Sequence, residues 1–227
     1  MDEAVGRIFR EAWKVTAGRV VPDEAGLTLS NTGVAIDAAV LYADLAGSTR
    51  LVDGRSREFA AEVYKAFLLC AARIVRSEGG TVTAYDGDRI MAVFIGDTRR
   101  TAAVRTALKI NWARVNVIQP RLDAQYPGSG YVLAHTCGID ASSLMAAKTG
   151  VRGANDLVWV GRAANHAAKL SAESSATPTW ITAEVYDNML EQGRMGGQPK
   201  RNMWTPMSWT AMGGARVYCS SWTWSFS

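Results

Sequence analysis

Two aspartates stand where metal chemistry needs carboxylates. Asp44 closes the mostly apolar run from Ala38 to Leu45, and Asp88 falls at the turn between Thr81–Tyr85 and Ile90–Ile95. An aspartate at a turn usually serves the turn itself. Two that converge on one side of a sheet present hard oxygen ligands suited to Mg²⁺ or Mn²⁺. Asp86 is a third candidate. Between the two lies Leu45-Ala46-Gly47-Ser48-Thr49, a strand-to-helix loop whose backbone amides can receive phosphate, or whose hydroxyls can simply cap the helix. Tyr42 shares a strand face with Asp44, about 7 Å away, and is either a floor for a base or ribose or a core aromatic. A second cluster runs from Gly161 to Leu170. Asn165 and Lys169, four residues apart, stack on one helix face as an oxyanion clamp, unless that face is merely solvated. Arg162 in the first turn opposes the helix dipole and calls for an anion nearby.

The elements that must position these residues follow from periodicity. Val5, Ile8, Phe9 and Trp13 predict a short amphipathic helix within residues 1–18, and residues 22–37 read as a connector. A buried strand over 38–45 is followed by a helix with Phe59, Val63, Phe67, Cys70 and Ile74 at helical spacing, stopped at Gly79-Gly80. A hairpin built on Asp86-Gly87, a helix over residues 98–117, a loop marked by Pro120 and Pro127, and a strand over 131–139 come next. The order strand, helix, strand, strand, helix, strand predicts an α+β fold, a ferredoxin-like split βαβ sheet with helices on one face. Further strands are expected at 157–160 and 179–181, with helices at 162–171 and up to Leu190. Trp204, Trp209, Trp222 and Trp224 suggest two terminal strands, packed on the domain or on a partner subunit.

The chain has 227 residues, 48% hydrophobic and 20% charged, enough for one well-buried domain. No run approaches the ~18 to 20 apolar residues of a membrane span, and the acidic N-terminus lacks the features of a signal peptide. Three cysteines are too few and too scattered for a disulfide framework or a zinc cluster, and two histidines weaken any histidine-based site. A soluble cytoplasmic protein is expected, with neither membrane nor nucleic acid as partner. The net charge of +4 is spread out and suits a phosphorylated small molecule better than nucleic acid.

Four segments together carry a resemblance. Tyr-Ala-Asp-Leu-Ala-Gly-Ser-Thr (42–49), Tyr-Asp-Gly-Asp-Arg-Ile-Met-Ala-Val-Phe (85–94), Cys-Gly-Ile-Asp (137–140) and Val-Trp-Val-Gly-Arg-Ala-Ala-Asn-His-Ala-Ala-Lys-Leu (158–170) resemble, in order and spacing, the motifs of the class III nucleotide cyclase catalytic domain. The resemblance implies a homodimer with composite sites, metal aspartates from one chain and the Asn/Arg pair from the other. Asp44 and Asp88, with the Leu45 carbonyl, would hold two divalent ions, Mn²⁺ or Mg²⁺. Ala46, Gly47, Ser48 and Thr49 would bind phosphate, with Arg162 a further nucleotide contact, Asn165 would orient the ribose, and Lys169 would neutralise charge growing on the α-phosphate. It divides the chain into an N-terminal helix and connector (1–37), a catalytic domain (38–190) and a Trp-rich extension (191–227).

Three positions depart from the family's pattern. Lys169 replaces the transition-state arginine, a point charge for a bidentate fork. Ala84 and Val158 stand where adenylate cyclases carry polar residues that read the purine. A site without those readers should not select adenine strongly. With the variant motifs around Asp44 and Asp88, these departures resemble the pyrimidine cyclases of bacterial Pycsar anti-phage systems. A substrate of UTP or CTP is implied, UTP preferred, with a cyclic nucleotide product acting on a separate effector. Tyr42, Tyr85, Arg89 and Asp156 are the candidate base contacts. The alternatives are an adenylate cyclase and a degenerate domain that binds nucleotide or dimerises.

Overall fold

The computed structural model describes residues 1–226. Helix α1 (Asp2–Arg10) and strand β1 (Lys14–Ala17) lead into β2 (Thr32–Leu45), then helices α2 (Ser48–Gly54) and α3 (Arg57–Ser77). The hairpin is β3 (Thr81–Asp86) and β4 (Arg89–Phe94), followed by α4 (Arg99–Ala113), a π-helical turn (Arg114–Ile118) and α5 (Gln119–Gln125). Strands β5 (His135–Val151) and β6 (Ala154–Val160), helix α6 (Arg162–Leu170), β7 (Thr179–Thr182) and α7 (Ala183–Asn188) complete the middle of the chain. Helix α8 (Glu191–Arg194), the short pair β8 (Met195–Gly196) and β9 (Arg201–Asn202), and strands β10 (Thr205–Trp209) and β11 (Ala215–Ser220) form the end.

The main sheet runs β10-β11-β7-β5-β2-β4-β3, with β1 beside β2 and β6 beside β5. Its centre, β5-β2-β4-β3, is the split βαβ order. Strand β2 alternates cleanly, as a strand buried on both faces must. Ala39, Leu41, Ala43 and Leu45 join a core with α3 and α4, whereas Ala38, Val40 and Tyr42 face Ala163, Ala164 and Ala167 of α6. The two helices of the split unit thus share one face, and α6, outside that unit, covers the other. Phe67, Ile90, Leu108 and Ile139 are fully buried in the larger core, each stabilising the fold by roughly 1.5–3 kcal/mol.

Helix α3 starts where Ser56 Oγ accepts the Phe59 amide at 3.2 Å. It ends at Gly79, whose φ of +78° suits glycine. Glu78, with its side chain 4% exposed, ties α3 to α4 through Arg105 and through Lys109 at 2.7 Å.

Several expected boundaries shift. The N-terminal helix stops at Arg10, and β1 forms in its place by pairing in parallel with the start of β2. Strand β2 therefore begins inside the expected connector. Pro120 does not break the helix into a loop. It sits in the first turn of α5, after a π-helical turn that absorbs its missing amide and its ring. Strand β5 starts later than expected and is much longer, because β2 pairs with it from Gly33↔Ala147 to Leu45↔His135. The tight turn of the hairpin is Gly87-Asp88, with φ of +61° at Gly87. The C-terminal strands β10 and β11 extend the main sheet through β7.

Candidate active site

Asp44 ends β2 opposite Arg89, the residue after Asp88, so sheet register brings the two aspartates together. Both are partly buried. Burial first, and then the charge of Asp88, pushes the Asp44 carboxyl up to about 6, against the opposing pull of Arg89 and the Leu45 amide. Asp88 Oδ2 is buried without a hydrogen-bond partner among the described residues. An orphaned carboxylate oxygen beside a second strained carboxylate fits a divalent cation. The described residues hold no cluster of three or more His, Cys, Asp or Glu side chains that would form a closed metal cage. Two carboxylates and a backbone carbonyl suit ions that also take substrate phosphate oxygens and water. Asp86 pairs instead with Arg89 at 2.7 Å and is exposed.

Tyr42 is partly buried against the second core, with the Arg89 guanidinium 5.2 Å from its ring centroid. Burial raises its phenol pKa, offset by Arg89. The Tyr42–Arg89–Asp86 chain therefore fixes the ring on the same sheet face as Asp44.

The loop after Asp44 turns at Gly47, whose φ of +73° places it as the cap of α2. Neither Ser48 nor Thr49 caps the helix, since both lie inside its first turn and no side chain bonds there. Ala46 donates its amide to Ala134 O at 2.9 Å, which anchors the loop to the strand leader of β5. Beside Ala46 and Gly47 lies a cavity of about 320 Å³, lined also by Arg50, Arg55 and Tyr131. Sequence reasoning missed Arg50 and Arg55. Their signal was two cations within a helical turn or two of the glycine loop.

On α6, Asn165 and Lys169 are both exposed, and Lys169 Nζ lies 3.6 Å from Met212 Sδ. Among the described residues neither makes a hydrogen bond to Asp44 or Asp88. Arg162 has the nearby anion that its place in the first turn calls for. Its anion is Asp140 of the same chain: Arg162 Nε donates to Asp140 Oδ2 at 3.1 Å, and its Nη2 donates to Ala141 O at 2.6 Å. It ties α6 to β5 within the protomer. Ala84 is half-buried against the second core, and Val158 is 41% exposed on β6. Neither brings a polar atom to the site.

No family model matches the chain. Individual proteins do. It is 50% identical over 218 residues to a uridylate cyclase of Xanthomonas perforans, covering 96% of this chain and 93% of that protein. The chain belongs to the uridylate cyclase family. A uridylate cyclase of Burkholderia cepacia is 46% identical, over 97% of this chain and 95% of that one. The fold matches the adenylyl cyclase CyaB from P. aeruginosa with a TM-score of 0.70 at 20% identity, covering 83% of this chain and 95% of that one. As a member of the uridylate cyclase family with a class III catalytic fold, the chain is a nucleotide cyclase, and Asp44, Asp88 and α6 are its candidate active-site elements.

Proposed function

We propose that this cyclase converts UTP to 3′,5′-cyclic UMP and pyrophosphate, and that it acts as a homodimer with two composite sites. The observation that supports UTP is the family membership, since relatives alike over nearly the whole chain carry the name uridylate cyclase. The apolar Ala84 and Val158 agree with it, because nothing polar at those positions rewards a purine edge.

Asp44 and Asp88, with the Leu45 carbonyl, would hold two divalent ions, Mn²⁺ or Mg²⁺, which would supply activation of the ribose 3′-hydroxyl and neutralisation of the triphosphate. The amides of Ala46, Gly47, Ser48 and Thr49 receive the phosphate tail, and Arg50 and Arg55 add positive charge in the adjoining cavity. Tyr42 supports the nucleoside against the sheet. Asn165 of the second protomer orients the ribose, so that its 3′-oxygen lies in line with the α-phosphorus. As the new P–O bond forms and the bond to pyrophosphate breaks, Lys169 of that protomer neutralises charge on the α-phosphate. The hydroxyl proton is released to solvent. Both α6 residues are exposed within one protomer, and that exposure suits a role toward a second copy.

A product of this kind is a signal, and we further propose that a separate effector reads it in an anti-phage response in the cytoplasm. The test is direct. Purified protein is incubated with each of the four nucleoside triphosphates and Mn²⁺, and products are resolved by chromatography. Cyclic UMP is the expected main product. Cyclic AMP as the main product would return the enzyme to ATP, and pyrophosphate without any cyclic nucleotide would overturn the cyclase assignment of the site.

A further inference from the structure

Helix α6 meets the centre of the sheet through alanines, Ala163, Ala164 and Ala167, and only its last residue, Leu170, is a large apolar side chain, packed with Trp180, Trp209, Val217 and Cys219. Small side chains let a helix approach closely, but they form shallow ridges that do little to fix its rotation or its position along its axis. The approach is closest at Gly138, where a Cβ would lie 2.2 Å from Ala167 O and 2.4 Å from Ser171 N. Along the alanine stretch one polar cluster interrupts this smooth contact. Asp140 of β5, with no solvent exposure, accepts from Arg162 Nε at 3.1 Å and from Thr182 Oγ1 at 2.5 Å, and His166 Nδ1 lies 3.2 Å from its Oδ2. Trp209 of β10 packs edge-on against the His166 ring, 5.3 Å between centroids.

Arg162 and His166 are four residues apart and form one row of α6. Asn165 and Lys169 are each three residues further on and form the neighbouring row. Turning or sliding the first row on Asp140 turns or slides the second by the same amount. Burying a carboxylate is costly, and apolar packing would hold the helix at lower cost. A cluster that ties two successive turns of α6, the end of β7 and the core of β5 to one carboxylate specifies a single placement of the helix.

We infer that Asp140 is a positioning residue, which sets the rotation and axial position of α6 and so aims Asn165 and Lys169 at the reacting phosphate of the partner's nucleotide. This rests on the composite-site reading. Asp140 touches neither substrate nor metal. Its loss leaves the carboxylate and phosphate-loop half of the site intact and misaims the other half.

The experiment pairs steady-state kinetics with subunit mixing. Asp140→Asn keeps the shape and removes the charge, and is expected to lower kcat for cyclic UMP formation by about 10²-fold, with KM within about twofold. Homodimers of Asp44→Ala, Lys169→Ala and Asp140→Asn are then mixed pairwise. Asp44→Ala with Lys169→Ala is the control, and recovery there supports the composite site. Asp140→Asn should recover activity with Asp44→Ala, whose α6 is sound, and should not recover with Lys169→Ala, because both then damage the α6 half. Recovery with Lys169→Ala, failure with Asp44→Ala while the control recovers, or an unchanged kcat would each overturn the proposal. A failed control overturns the composite reading instead, and the kcat–KM split then decides the positioning role alone. Should Asp140→Asn not form a folded dimer, His166→Gln, at a partly exposed position, carries the same readouts, and an unchanged kcat there counts against the role.

Discussion

Asp44 is held in the folded chain in a state it would not choose alone. Its carboxyl is pushed up to about 6, while the unfolded chain returns it to the ordinary value near 3.8. Between those values the folded protein binds the extra proton, so this contribution to stability is full below the lower value and is lost as pH rises through about 6. At neutral pH, without metal, the ionised, partly buried Asp44 carboxylate therefore costs stability, through burial first and the neighbouring Asp88 second. Because Asp44 is partly exposed, solvent screening reduces that cost to the order of 1 kcal/mol. Metal-free Asp44→Asn should melt about 2–4 °C above the parent near neutral pH, and the difference should vanish once the pH falls below the unfolded value. Added Mn²⁺ should raise the parent's melting temperature and leave the variant's nearly unchanged. Calorimetry across pH checks all three, and a variant no more stable than the parent near neutrality would show that the ionised Asp44 does not cost the fold stability.

At the scale of elements, the helix that carries Asn165 and Lys169 depends on a glycine in another element. Gly138 lies beside Tyr42 in the sheet, and α6 crosses it at backbone contact. Gly138→Ala should push α6 off β5, with a stability loss of about 1–3 kcal/mol and a fall in kcat of about 10²-fold. A variant with parental kcat and melting temperature would show that α6 has slack there. The same contact explains a limit of sequence reading. Gly138 stood in a recognised motif, yet its role is visible only with the helix in place. Similarly, the long β5 was read as a short strand, since Ala141, Ser142, Ser143, Ala146 and Ala147 have little β propensity. Pairing along the whole of β2 overrides it.

At the scale of the whole molecule, the C-terminal segment packs onto the main sheet and α4. Strands β10 and β11 continue the main sheet, Trp204 Nε1 donates to Gly193 O at 2.8 Å, and the Trp224 amide donates to Leu108 O at 3.1 Å on α4. Trp209 in turn backs His166 and donates to Glu173 Oε1 at 2.7 Å. Trp209→Ala should lower both stability, by about 3–5 kcal/mol, and turnover. Chemical denaturation and cyclic UMP assays measure the two. Loss of stability with turnover per folded molecule unchanged would separate this segment from the site. Among the described residues no helix is long and apolar enough to cross a membrane.

By itself the sequence determined the order of the split βαβ core, the candidate pair Asp44 and Asp88, and the glycine loop. Each of these is local: a periodicity, a turn residue, or a side chain type at a strand end. Which residues meet was decided by tertiary structure alone. Arg162, isolated in sequence as a cation needing an anion, finds it 22 positions away in Asp140, and the Asp88 oxygen is orphaned only because β2 and the hairpin lie side by side. Burial and charge pairing are properties of neighbours in space, and they are fixed only when the sheet register has closed.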